Sequence, residues 1–117
     1  MTYMLLIMED ARERRERPSD EGREKMDRMI RFGEDLKARG LFRASESLRT
    51  DAVRLTHRGG RRVISDGPFS EAKELIGGFF LVECETREQA LALAQECPAA
   101  DWATIEVREL GPCYNEG

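Results

Sequence analysis

The run Phe79–Val82 constrains the fold of this chain more than any other segment. All four residues are apolar, so a strand formed here presents hydrophobic side chains on both of its faces. The sequence predicts two long helices, beginning near Pro18 and at Thr86, and two helices cover only one face of a sheet. The second face is therefore expected to meet a partner, and the simplest partner is a second copy of the chain.

The other periodicities predict an α+β chain. Residues 1–8 are consistent with a buried strand, and Glu9–Arg17 is a charge-dense loop that can also lead into a helix. Two strands joined by a turn at Gly59–Gly60 form a hairpin, residues 43–50 have turn character, and residues 103–108 form the last strand. The resulting order is strand, helix, strand, strand, helix, strand, with Phe79–Val82 as an additional strand. This order predicts a ferredoxin-like antiparallel sheet with two helices on one face.

Both predicted helices carry recognisable end signals. Gly40 is predicted to cap the C-terminus of the first helix. Thr86 and Gln89 form a capping box at the start of the second helix, which ends near Pro98. One face of the first helix is predicted to pack on the core, because apolar or small residues recur at steps of three and four: Met26, Met29, Ile30, Gly33 and Leu36.

Composition limits the classes of function. A chain of 117 residues with a net charge of −4 fits a single domain over residues 1–117, and its interspersed charges argue against nucleic-acid binding. No apolar run approaches the roughly 20 residues of a membrane span, and Met4–Met8 is too short for a signal peptide, so a cytoplasmic protein is expected. Three cysteines and one histidine form no recognisable metal constellation, and no cofactor is predicted.

The segment Asp66-Gly67-Pro68-Phe69 combines an acid, a turn and an aromatic residue. An aromatic side chain is not expected in a solvated loop unless it packs against other residues. Phe69 is therefore predicted to anchor the loop against the body of the protein. Asp66 then has two readings of equal weight. In the first, its carboxylate faces a cleft, which makes Asp66 the best candidate catalytic residue. In the second, its carboxylate hydrogen-bonds to its own backbone in a tight turn after the strand.

Further candidate ligand-binding residues surround this segment. Arg54 is a strand-borne cation that can bind an anionic ligand or pair with neighbouring carboxylates. Glu71 and Lys73 can line a site or form a solvated turn. His57 is more readily interpreted as an exposed residue next to the hairpin turn than as a catalytic base. His57 and Phe69 are the remaining candidate ligand-binding residues.

Asp66–Phe69, followed by Glu71, Lys73–Glu74 and Gly77–Phe79, resembles the signature of the YCII-related family in its DGPF-motif branch. The resemblance implies a ferredoxin-like fold that dimerises through its sheets into an α+β barrel, and a cleft that could bind a small molecule. It also implies a regulatory setting, since members of this branch are often encoded beside sigma factors of the extracytoplasmic-function type. Relatives with a shorter form of the domain have been suggested to be lyase-like enzymes that use a His–Asp pair.

The chain departs from that enzyme-like pattern. The histidine expected in the first helix is missing, and Met26–Met29 occupy its neighbourhood, whereas Asp66 is kept. Two hypotheses follow. The first is a non-enzymatic dimer that binds a small molecule or acts in regulation. The second is a small lyase-like or isomerase-like enzyme in which Asp66, with its pKa raised by burial, is the acid/base; the missing histidine favours the first.

Overall fold

The computed structural model describes residues 1–67 and 73–115, and of Asp66 and Gly67 it describes the backbone only. The helices are α1 (Ala11–Glu16), α2 (Ser19–Ala38) and α3 (Arg87–Glu96), and a 3₁₀ turn spans Pro98–Asp101. The strands are β1 (Thr2–Asp10), β2 (Phe42–Ser47), β3 (Ala52–Arg58), β4 (Arg61–Gly67), β5 (Glu74–Glu83) and β6 (Thr104–Glu109). Within these described ranges, none of the helices has the length and apolar character that a membrane crossing requires.

The main sheet has four strands in the order β2-β5-β1-β6. All three pairings are antiparallel, and α2 and α3 both contribute to the core on one side of the sheet. The predicted α+β fold with a ferredoxin-like sheet is therefore confirmed. The strand Phe79–Val82, predicted as an additional element, is the part of β5 that lies between β1 and β2 in the middle of the sheet.

The core lies between the sheet and the helices. Residues of β1 alternate between buried and half-buried positions, and the buried Leu5 packs in the same cluster as Leu36 of α2 and Leu93 of α3. In β5, Phe80 and Val82 are buried in this core. Because side chains alternate along a strand, Phe79 and Leu81 lie on the opposite, outer face of the sheet.

The helix ends form as predicted. Gly40 adopts a positive φ of 71°, its N–H donates to the Lys37 carbonyl at 3.0 Å, and the Leu41 N–H donates to the Leu36 carbonyl at 2.9 Å. This pair of hydrogen bonds is a Schellman motif. At the start of α3, the Thr86 hydroxyl accepts from the Gln89 N–H at 3.1 Å, which confirms the cap.

The predicted hairpin also forms, but it stands apart from the main sheet. β3 and β4 pair as a separate two-stranded sheet, and the turn between them uses the positive φ angles of Gly59 (56°) and Gly60 (77°). All residues of β3 are exposed. The hairpin is an insertion between β2 and β5 rather than part of the ferredoxin-like core.

The prediction of turn character over residues 43–50 was wrong for most of that segment. Residues Phe42–Ser47 form β2, which pairs with β5 along one edge only. Edge strands need little apolar surface, and this strand carries mainly polar side chains. Its pairing therefore depends on β5, which is distant in sequence, and no local pattern marks it. The predicted loop Glu9–Arg17 does precede the helix α2, but residues 11–16 within it form a short helix of their own, α1.

Candidate functional site

The candidate site is a cleft of about 480 Å³ between α2 and the sheet. Residues of β1, β2 and β5 contribute to its lining, and so does the junction between α1 and α2. Volumes of this size are typical of sites for small organic molecules. The lining has two chemically different parts, one apolar and one built around a buried carboxylate.

The apolar part lies along α2. Met26, Met29 and Ile30 line the cleft together with Phe80 of β5 and Trp102. The sequence predicted that these α2 residues pack in the core, and for two of them this is wrong, since Met26 and Ile30 are each 47% exposed. The buried residues of α2 all lie in its C-terminal half. The part of the helix up to Ile30 leaves its apolar face open to the cleft.

The polar part is centred on Glu9, the last inward-facing residue of β1. Glu9 is only 4% exposed, and a buried carboxylate is costly unless it is paired and hydrogen-bonded. Arg17 donates from Nη1 to Oε1 at 3.1 Å, and Arg14 donates from Nη1 to Oε2. We call Glu9, Arg14 and Arg17 the arginine–glutamate cluster.

Local structure brings this cluster together. The side chain of Asp10 caps α1 by accepting from the Glu13 N–H at 2.8 Å, so the helix begins directly after Glu9. The short helix places Arg14 and Arg17 next to the end of the strand that precedes them. Arg14 also donates from Nη2 to the Leu48 carbonyl at 2.8 Å, which ties the cluster to the segment after β2.

Two glycines of β5 make room at this end of the cleft. Gly77 is the extra residue of a β-bulge, because Ile7 pairs with Gly78 and Met8 with Ile76. A Cβ atom at Gly77 would overlap the Glu9 carboxylate, with Cδ of Glu9 at 2.9 Å. A Cβ atom at Gly78 would lie 2.7 Å from the backbone oxygen of Glu46 on β2. The β2–β5 pairing therefore requires glycine at position 78, whereas a side chain at position 77 would displace the side chains of the cluster.

Two cations lie near Trp102, and one of them, Lys25, lines the same cleft. Lys25 lies 5.0 Å from the centre of the Trp102 ring, and Arg28 lies 5.2 Å from it. Lys25 also pairs with Glu21 at 3.0 Å, and Arg28 pairs with Asp101 at 2.9 Å. Lys25 and Arg28, both on α2, therefore lie close to the Trp102 ring and to an acidic residue at the same time.

The residues predicted from the sequence lie elsewhere or outside the described part. Arg54 and His57 are exposed on β3 and do not line the cleft. Lys73 is exposed, and its carbonyl accepts from the Ala11 N–H at 2.9 Å, next to α1. The backbone of Asp66 pairs with that of Val53 in the hairpin.

The side chain of Asp66 lies outside the described residues, as do Phe69 and Glu71. The roles assigned to these residues stay predictions. The arginine–glutamate cluster was missed, although the sequence contains a signal for it. Glu9 continues the alternation of the buried Leu5 and Ile7, so a strand that extends past Met8 buries a carboxylate that needs a cationic partner.

Other reactive groups are placed for structural roles. Within the described ranges, no group of histidine, cysteine and carboxylate residues is arranged to hold a metal ion. Cys84 and Cys97 are buried and Cys113 is exposed, all three as free thiols. Burial raises the pKa of the Cys84 thiol and raises that of Cys97 to about 11. The two buried thiols are therefore protonated at neutral pH and are poor nucleophiles.

Comparison with known proteins places the chain in a family. An uncharacterized protein of Rhizobium meliloti (strain 1021) is 40% identical over 63 residues. That similarity covers 52% of this chain and 51% of the relative, so the match spans about half of each protein. The family model of the YCII-related domain matches a larger part of this chain, residues 1–113. The chain belongs to the family of YCII-related domain proteins.

Proposed function

We propose that the protein binds a small organic molecule in the cleft between α2 and the sheet. One observation carries the proposal: Met26 and Ile30 of α2 are each about half exposed on a cleft of about 480 Å³. A helix normally buries such a face. An apolar wall next to a few convergent polar groups is the usual composition of a ligand site. A binding role of this kind also suits the regulatory setting that the family resemblance implies.

A neutral ligand tests this proposal. We expect 4-phenylbutanamide to shift the indole N–H resonance of Trp102, because Trp102 lines the cleft and is the chain's single tryptophan. The substitution Ile30→Phe fills part of the apolar wall and should weaken binding by about tenfold. The measurement is a titration of ¹⁵N-labelled protein followed by two-dimensional NMR.

The control for this titration is Val53→Phe, which adds an aromatic ring at a position that is 68% exposed and outside the cleft. It should leave the affinity unchanged. If the Trp102 resonance does not move at ligand concentrations up to about 10 mM, above the Kd of even a weak site, the cleft is not a binding site for such molecules.

We also propose that the protein is a homodimer formed through the outer face of the main sheet. Met4 lies opposite Leu81 and Leu6 lies opposite Phe79, so these four side chains form one apolar patch across β1 and β5. α2 and α3 pack on the other face and leave this one for a partner. A sheet-to-sheet contact of this kind should bury at least about 1,000 Å² in total.

Light scattering tests the dimer. The chain should elute with twice its mass of 13.4 kDa at micromolar concentration, and Leu81→Arg should shift it to the monomer because it buries a charge in the interface. Leu55→Arg places the same charge on the exposed hairpin (60% exposed) and should leave the mass unchanged. A monomer mass for the unsubstituted chain would refute the proposal.

A further inference from the structure

The arginine–glutamate cluster carries an unbalanced charge. Two guanidinium groups share one carboxylate, and all three side chains are largely buried, with exposed fractions of 20% for Arg14, 9% for Arg17 and 5% for Glu9. A buried ion cluster is stable when its charges are matched. Counted over the described residues, this one has a surplus of one positive charge, which a bound anion would neutralise.

Arg17 has hydrogen-bond donors to spare. Its Nη1 donates to Glu9, and no other described residue accepts from its guanidinium group. Among the described residues, no buried side-chain nitrogen or oxygen lacks a partner. The remaining Arg17 donors must therefore be in contact with solvent, and Arg17 lines the cleft. These donors are available to a ligand.

The other charges that the described residues bring to the cleft do not cancel this surplus. Two carboxylates, Glu34 and Glu46, also line it, but both are exposed to water. Lys25 and Lys37 line it as well; Lys25 pairs with Glu21 outside the cleft. Since screening by water weakens the exposed groups, the buried cluster dominates the potential at its end of the cleft.

The start of α2 adds to the same potential. Ser19 and Gly22 line the cleft, and Pro18 at the N-cap position provides no side-chain hydrogen bond. The first backbone N–H groups of this 20-residue helix therefore have no side-chain cap next to Arg17, although Asp20 and Glu21 stand in the same turn. The positive end of the helix dipole favours an anion in this place.

We infer that the ligand of this cleft is an amphipathic monocarboxylate, with its carboxylate on Arg17 and its apolar body along Met29, Ile30 and Phe80. A carboxylate matches both the single surplus charge and the planar fork of a guanidinium group. This inference rests on the proposed binding function and adds the chemical class of the ligand. The cluster and the apolar wall line the same cleft. A ligand can therefore place its carboxylate on the cluster and its apolar body on the wall at the same time.

A matched pair of ligands separates the inference from the proposed function. 4-Phenylbutyrate and 4-phenylbutanamide differ only in the charged group, and both are followed by the Trp102 indole resonance at pH 7.5. The carboxylate should bind about tenfold more tightly than the amide, or better. If both bind with equal affinity and both are weakened by Ile30→Phe, the cleft function stands and the carboxylate assignment is overturned.

Two substitutions should change this preference in opposite directions. Arg17→Met should remove most of it, whereas Glu9→Gln should enlarge it, because the internal carboxylate no longer competes for the guanidinium groups. Arg15→Met is the matched control: it lies on α1, is exposed and is not part of the cleft lining, so the preference should persist. Equal effects of Arg15→Met and Arg17→Met, or a weaker preference in Glu9→Gln, would overturn the assignment.

Discussion

Replacing Phe80 by alanine is expected to lower the free energy of unfolding by about 3–5 kcal/mol. Phe80 is 4% exposed, and its ring meets that of Phe32 edge to face at a centroid distance of 5.2 Å and that of Phe42 at 6.4 Å. Such aromatic pairs contribute beyond the burial of their area. The substitution therefore removes a large side chain and two ring contacts at once.

The residues around Phe80 cannot easily move into the space that the substitution Phe80→Ala creates. One of its ring carbons lies 3.4 Å from the position that a Cβ atom of Gly33 would occupy, so the α2 backbone approaches the ring closely. On its other side the ring borders the cleft. The void left by Phe80→Ala would join the cleft and stay open, which keeps the cost near the upper end for such substitutions.

Urea denaturation at a fixed protein concentration measures this effect. Ile64→Ala is the control, because Ile64 is 58% exposed on the hairpin, and surface substitutions usually change the stability by less than about 0.5 kcal/mol. A loss below about 1 kcal/mol for Phe80→Ala would mean that the three aromatic rings do not form a packed centre.

Elements with local signals could be predicted from the sequence. α2 ends where Gly40 supplies a positive φ, α3 begins where Thr86 caps it, and the hairpin turns at Gly59–Gly60. Each of these signals depends on a few neighbouring residues. The fold class followed from them because two helices and a doubly apolar strand leave few arrangements of a sheet.

Features that depend on distant contacts could not be predicted in this way. β2 exists because β5 pairs with it, and its own sequence is too polar to mark a strand. The periodicity of Met26 and Ile30 shows that they share a helix face, but it does not show whether the sheet covers that face. Only the packing of the residues after Ile30, through Phe32 and Leu36, leaves Met26 and Ile30 beside an open cleft.

The candidate site was the least predictable part. Asp66 and its neighbours form the most unusual local motif, and their roles stay predictions, whereas the described lining of the cleft consists of residues that look ordinary in sequence. Glu9 and Arg17 belong to a stretch where both charges alternate densely, and such stretches are usually solvated. Their partnership is set by the short helix α1, which returns the chain to the end of β1.

The largest electrostatic effect is expected when both arginines of the cluster are replaced. The double variant Arg14→Met/Arg17→Met should lower the free energy of unfolding by about 3–5 kcal/mol, because it leaves a buried carboxylate without a cation. Methionine keeps much of the aliphatic volume of arginine. The loss therefore reports mainly on the charge of Glu9, together with the hydrogen bond from Arg14 to the Leu48 carbonyl.

A third substitution separates these contributions. Adding Glu9→Gln to the double variant removes the unpaired charge, and we expect it to recover most of the lost stability, since replacing a whole buried ion cluster by neutral groups is often nearly neutral. Arg12→Met/Arg15→Met is the control, because both residues lie on α1 and are exposed. Urea denaturation of the three variants and the unsubstituted chain gives the comparison. If the triple variant is no more stable than the double one, the cost of losing the arginines comes from packing and from the Leu48 contact. In that case Glu9 does not depend on a cationic partner, and the charge surplus that we assign to the cluster has no energetic basis.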